Sequence, residues 1–227
     1  MEEKLWYIKS AAIFSALRPE EQQAVGDMAR MVPFHRGEVI YLPDDLSNYV
    51  YLIKKGRVKL SRVNGDGREV TLDILGVRDI FGELAMTGEM IRSHMATALE
   101  DGTMCIFTRE DFQKIMARHS SVTLNVVKLI GMRMRKLESR LEDLAFRSVS
   151  ERVNGTLRRL ANEFGNVESD GTVRVPITQS QLAYLVGASR EKVAEELGKM
   201  RREGLVSTGY RSIVLQNFTG AGRETRL

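Results

Sequence analysis

The 227-residue chain has one cysteine, Cys105, so it can build neither an internal disulfide framework nor a cysteine-rich iron–sulfur or zinc site. Its three histidines, His35, His94 and His119, are scattered, with no metal-ligand spacing and no nucleophile–base pair beside them. That composition argues against an enzyme and against a resident metal. Cys105 lies in the apolar run TMCIFT, where a free cysteine acts as a small core residue. His94 could be offered to a haem, but a surface position is the ordinary reading. No apolar run approaches the ~20 residues that a bilayer-spanning helix needs. The first residues, MEEKLWYIKS, are charged and lack an apolar signal core, so the cytoplasm is the expected compartment, with no membrane partner.

What is present is an ordinary globular composition, 43% hydrophobic and 28% charged, long enough for one or two domains. The net charge is +4, and most of the excess falls in residues 151–227. Such a balance permits a polyanionic partner without requiring one.

Three textures follow one another. Residues 1 to about 33 read as helical: Ile13, Phe14 and Leu17 form an apolar patch, and LRPEEQQAVGDMARMV places a proline at a helix start with acids in its first turn. From Phe34 the runs GEVIYLP, YVYLIKKG, RVKLSRV, EVTLDIL and TMCIFT read as strands separated by glycines. RVNGDGREV is a hairpin signal, because Asn-Gly and Asp-Gly supply positive φ. A sandwich or barrel-like roll is implied. From about Arg109 to Phe146 the pattern is helical again. Val127, Ile130, Met134, Leu137, Leu141 and Leu144 are spaced 3, 4, 3, 4 and 3 apart, the seam of a two-stranded coiled coil. In that register Arg133 falls at g and Glu138 at the next e, the places of a cross-helix ion pair in a parallel homodimer. The competing reading is an amphipathic helix packed on its own roll.

The most informative stretch is ITQSQLAYLVGASREKVAEELGKMRREGLV. Thr178 followed by Gln181 is a capping box that starts one helix, Gly187 suits the left-handed conformation that ends it, and Ser189 can cap a second. Ala183, Gly187 and Val193 have the spacing of a helix-turn-helix, with Leu182, Val186 and Leu197 completing a small core. GLVSTGYRSIVL then reads as two short strands, a wing. The residues expected to meet DNA are Thr178, Gln179, Ser189, Arg190, Glu191, Lys192, Glu195 and, in the wing, Arg211. A structural three-helix bundle would use the same spacing.

ITQSQLAYLVGASREKVAEEL, LEDLAFRSVSERVNGTLRRLA and FGELAMTGEMIRSHMATALED together resemble the Crp/Fnr family of bacterial transcription regulators, and the resemblance runs over the whole chain. It implies an α+β fold: a cyclic-nucleotide-binding-type β-roll with N-terminal helices over 1–108, a long dimerisation helix and hinge over 109–147, and a winged helix-turn-helix over 148–227. It also implies a two-fold symmetric operator in double-stranded DNA and RNA polymerase as a partner.

Read from its residues alone, FGELAMTGEMIRS is a glycine-led short helix with an arginine nearby, the donor set a phosphate needs. By resemblance, Glu83 accepts from a ribose 2′-hydroxyl, Arg92 and Ser93 hold a cyclic phosphate, and Gly82, Leu84 and Ala85 line the site. Arg133 and Glu138 would join them from the long helix. Cyclic-AMP receptors carry an adjacent Thr and Ser where this chain has Leu137 and Glu138, so a cyclic nucleotide is implied but its base stays open. Glu138 would accept from a purine amino group or pair with Arg133 of the other subunit. The family pattern Arg-Glu-x-x-x-Arg in the second helix keeps Arg190 and Glu191 but has Glu195 in place of the last arginine. A carboxylate there can only accept, most naturally from cytosine N4, and Glu196 beside it makes the helix more acidic. Three functions therefore compete: a regulator whose roll senses a cyclic nucleotide or related effector; a DNA-binding regulator with an empty roll, controlled by abundance or redox state; and a nucleotide-sensing interaction module without DNA binding.

Overall fold

The computed structural model describes residues 11–65, 67, 69–88, 90–209 and 211–216. Contacts divide the chain into two compact units, Met1–Arg135 and Lys136–Leu227, and the division falls inside one long helix.

In the first unit a short 3₁₀ turn, Ala12–Phe14, precedes α1 (Pro19–Met28), where the Glu21 carboxylate accepts from both the amide and the guanidinium of Arg18. Eight strands follow: β1 (Arg30–Phe34), β2 (Val39–Tyr41), β3 (Tyr49–Lys55), β4 (Val58–Val63), β5 (Glu69–Leu75), β6 (Ile80–Phe81), β7 (Met95–Ala98) and β8 (Gly102–Thr108). They form two antiparallel sheets, β1-β8-β3-β6 and β2-β7-β4-β5. Every strand gives at least one side chain to a common apolar core: Phe34, Tyr41, Ile53, Leu60, Leu75, Phe81, Ala96 and Met104 meet there. A second core lies on the other face of β3 and β8, where Val50, Leu52, Cys105 and Phe107 pack against Phe14, Val25, Phe112, Ile115, Val122 and Val126. Burial on both faces explains the unbroken apolar run YVYLI in β3. Cys105 is a fully buried core residue, as its apolar strand implied.

Gly102 is a point where the roll admits no side chain. A Cβ there would lie far inside van der Waals contact with the Lys55 carbonyl and the Phe34 ring. Gly102→Ala is expected to destabilise the roll by about 3 kcal/mol or more, the upper range for overpacking against groups that cannot move. Denaturant unfolding of this unit reads the change.

Some sequence expectations need correction here. Helix does not run to about residue 33: Arg30–Phe34 is a strand paired with β8, in register from Arg30↔Ile106 to Phe34↔Gly102. The first ten residues lie outside the described ones, as do Asp66 and Arg68 of the hairpin. In that hairpin Gly67 takes the positive φ, whereas Gly65 does not. The helical stretch from Arg109 is two helices, α2 (Arg109–Arg118) and α3 (Ser120–Phe146), separated where His119 turns extended.

The second unit takes the last turns of α3 and adds α4 (Val149–Phe164), β9 (Asn166–Val167), β10 (Val173–Val175), α5 (Gln179–Val186), α6 (Arg190–Arg202), β11 (Val206–Gly209) and β12 (Ser212–Leu215). The strands form one antiparallel sheet ordered β11-β12-β10-β9. Ser148 and Glu151 make a reciprocal capping box at the start of α4. No helix among the described residues is long and apolar enough to cross a membrane.

Candidate functional site

In the second unit local chemistry places α5 and α6 as the sequence suggests. The Thr178 hydroxyl accepts from the Gln181 amide while the Gln181 side chain accepts from the Thr178 amide. Gly187 ends α5 with φ 65° and ψ 46°, and the Ser189 hydroxyl caps α6 by accepting from the Lys192 amide. Leu182, Ala183, Val186, Val193 and Leu197 are all buried. Arg152 of α4 ties the turn down, its Nε donating to the Val186 carbonyl at 2.8 Å. An open cleft of about 270 Å³ lies between the start of α5, Arg190 and the wing. Thr178, Gln179, Arg190 and Arg211, four of the residues expected to meet DNA, line it together. Arg211 stands in the wing turn with φ 60°.

On α6 the exposed face carries Arg190, Glu191, Ala194, Glu195 and Lys199, while Val193, Glu196 and Leu197 face inward. Glu195 is not a bare carboxylate. Lys192 Nζ reaches its Oε2 at 2.8 Å and Lys199 Nζ its Oε1 at 3.0 Å. Those hydrogen bonds, Lys192 first and then Lys199, hold the Glu195 carboxyl below the usual carboxylate range. Glu196 does not add to the acidity of the exposed face, which corrects the sequence reading: it is buried. Lys199 donates to it at 2.9 Å and outweighs the cost of burial, with the Ser150 hydroxyl at the start of α4 contributing, so its carboxyl too is held low.

In the first unit the cassette begins at Gly82, left-handed at φ 78°, and turns through the 3₁₀ segment Glu83–Thr87. Of the side chains expected to hold a nucleotide, Glu83, Arg92 and Arg133 lie there, and each has a partner within the protein. Arg92 is only 2% exposed. Its Nη1 donates to the Gly82 carbonyl at 3.2 Å, its Nη2 donates to the Tyr49 carbonyl, and its guanidinium lies 4.5 Å from the centre of the Tyr41 ring. Its Nε is buried without a hydrogen-bond partner among the described residues. Tyr51 and Phe81 stack beside it, centroids 4.6 Å apart.

Arg133, reaching in from α3, bonds both the Glu83 carboxylate and the Ile80 carbonyl. Burial works against the Arg133 charge, yet Glu83 outweighs it and raises the guanidinium's pKa. Within the single chain Arg133 is thus engaged by Glu83 and Ile80. Glu138 is exposed on α3 beyond Arg135. The Ala85 amide is committed to the Gly82 carbonyl, Ala85 and Gly82 are buried, Leu84 is half-buried, and Ser93 is exposed. His94 corrects another expectation: it is buried, its Nε2 2.8 Å from the Tyr41 hydroxyl. Burial raises the Tyr41 phenol's pKa. Tyr41 and Tyr51 carry no sequence motif; their only signal is an inward register on β2 and β3, one strand in each sheet.

On α3 the seam residues divide. Val127, Met134, Leu137 and Leu141 are 60, 61, 51 and 67% exposed. Ile130 packs partly on the first unit's outer core, and Leu144, though 50% exposed, lies against Gly187.

Residues 31–119 match the family described as cyclic nucleotide-binding domain, and residues 151–220 that described as Crp-like helix-turn-helix domain. The CRP-like cAMP-activated global transcriptional regulator of Mycobacterium tuberculosis is 30% identical over 218 residues, covering 95% of this chain and 97% of the relative. The Cyclic AMP receptor protein of Thermus thermophilus is 31% identical over 203 residues, covering 89% and 91%. Among solved structures, the c-di-GMP responsive global regulator CLP of Xanthomonas campestris has the same fold, with a TM-score of 0.78 at 19% identity, covering 88% of this chain and 100% of that one.

Proposed function

This chain belongs to the Crp/Fnr family of transcription regulators, and from that premise we propose that it works as a cytoplasmic homodimer which grips a two-fold symmetric operator and answers to a cyclic nucleotide or related small anion in its roll. The observation that carries the DNA half is the exposed face of α6, where Arg190, Glu191, Glu195 and Lys199 stand clear of the core beside the cleft that Arg190 shares with Arg211. The dimer is supported by the row of exposed apolar side chains on α3, too regular and too apolar for a solvated helix face. On this reading residues 1–108 sense, 109–147 join the subunits and form the hinge, and 148–227 bind DNA. RNA polymerase is then the protein partner, as the family's regulatory role implies.

Two relatives are named for cyclic AMP, and the cassette supports an anionic ligand of that kind here. An entering phosphate would compete with the Tyr49 and Gly82 carbonyls for Arg92, and a ribose hydroxyl would share Glu83 with Arg133. Binding would then be felt by the long helix through Arg133. A thermal-shift screen against cyclic mono- and dinucleotides tests this, because a ligand that binds only the folded protein raises its melting point. Arg92→Leu should lower the affinity of the responding nucleotide roughly ten-fold to over a hundred-fold, the worth of a charge-assisted hydrogen bond.

The internal bonds of Arg92, Glu83 and Arg133 favour a second reading, in which the roll stays empty and the regulator is controlled by its abundance or by redox state. Full operator binding with no melting shift from any nucleotide would select that reading over the first.

A further inference from the structure

A four-charge ring lies along one flank of α6. Lys192 bonds Glu195 at 2.8 Å, Glu195 meets Lys199 at 3.0 Å, Lys199 bonds Glu196 at 2.9 Å, and Lys192 approaches Glu196 at 3.7 Å. Two positive and two negative groups cancel. The ring is anchored because Glu196 is buried and accepts from Lys199. Glu195 alone of its two carboxylates points to solvent, half exposed. The residues beside it on that face are Ala194 and Gly198, and a Cβ added at Gly198 would meet only the Arg202 guanidinium, at 3.8 Å. Ala194 and Gly198 add little bulk beside this carboxylate.

Resting on the DNA-binding reading of α6, we infer that Glu195 is a specificity-determining residue that selects a cytosine, and that buried Glu196 is a positioning residue that holds it in place through Lys199. A carboxylate accepts at up to four lone-pair sites, so two lysine bonds leave Glu195 free to accept another. In the major groove cytosine N4 is the donor that suits it, and adenine, whose N6 donor adjoins the N7 acceptor, suits an amide better. The lysines remove the repulsion that a bare carboxylate would suffer near phosphates, and they fix its rotamer before DNA arrives, which lowers the ordering cost of binding. Glu195 lies one helical turn beyond Glu191, about 6 Å along the axis. It therefore reads a base pair distinct from the one facing Arg190.

The test is selection of bound sequences from a random duplex pool, followed by affinities for operators carrying each of the four bases opposite residue 195. Wild type should favour cytosine by roughly ten-fold to a hundred-fold. Glu195→Gln should transfer the preference to adenine, because an amide both donates and accepts. Glu196→Gln should reduce the cytosine preference about ten-fold while leaving non-specific DNA affinity and the melting point near wild type. If Glu196→Gln fails to fold, Lys199→Gln, at an exposed position, breaks the same link and should lower the same preference ratio. A wild type that selects an operator yet accepts all four bases at that pair, or a Glu195→Gln protein that still enriches cytosine, overturns the inference and leaves the DNA-binding reading standing. A protein that selects no duplex overturns both.

Discussion

Leu141→Lys should turn the protein from a dimer into a monomer at micromolar concentration. Leu141 is exposed on α3 towards the C-terminal end of the apolar row, so the substitution removes little from the fold of the single chain. In a parallel pair the two copies of position 141 face each other. Each loses the burial of a leucine, about 1.5–3 kcal/mol, so the dimer constant falls by roughly 10²–10⁴ before the repulsion of two buried ammonium groups is added. Operator affinity should fall with it, because each subunit contributes one half-site contact. Sedimentation equilibrium of wild type and variant reads the effect directly. The melting point of the roll should stay unchanged. A wild-type protein that sediments as a monomer at that concentration would contradict the dimer.

The second large effect is expected at the turn between α5 and α6. Gly187 holds φ 65°, a region that costs an L-residue about 1–2 kcal/mol and a β-branched one more. A Cβ there would also sit 2.7 Å from Leu144 Cδ2. Gly187→Val should destabilise the second unit by roughly 2–4 kcal/mol, with overpacking adding to the backbone cost. For a unit of this size that is a fall in melting point of about 10–25 °C. Gly171 provides the control: its φ is 79° with nothing within 4 Å. Gly171→Val should show the backbone cost alone, and the difference between the two variants isolates the Leu144 contact. Equal melting points for Gly187→Val and wild type would show that the turn is not held as described.

Features of the second unit were legible in the sequence because each is local. A capping box spans four residues, a left-handed glycine needs only its own φ, and the small core repeats within two helices. What could not be read depends on partners far along the chain. The strand Arg30–Phe34 contains a proline and exposes several of its residues, so it shows no alternation; its identity comes from β8, some seventy residues away. Met95–Ala98 is short and small-sided, and only its pairing with β2 and β4 makes it a strand. The cassette motif was visible, yet the internal partners of its charged residues were not. That Arg92 lies over Tyr41, and that Arg133 closes on Glu83, follows from strand register and from a helix fifty residues distant. Glu196 and Glu195 are neighbours of identical chemistry, and only the packing of α4 against α6 buries one and leaves the other outside.

On the proposed reading, two copies of this chain read DNA through paired recognition helices. Selection of bound duplexes from a random pool, repeated at several salt concentrations, tests it most directly. The expected product is an inverted repeat whose half-site centres lie one helical turn apart, ~10–10.5 base pairs, with affinity that falls steeply as salt rises. Enrichment of no motif, or of a single unpaired half-site bound as tightly as an inverted repeat, would contradict it.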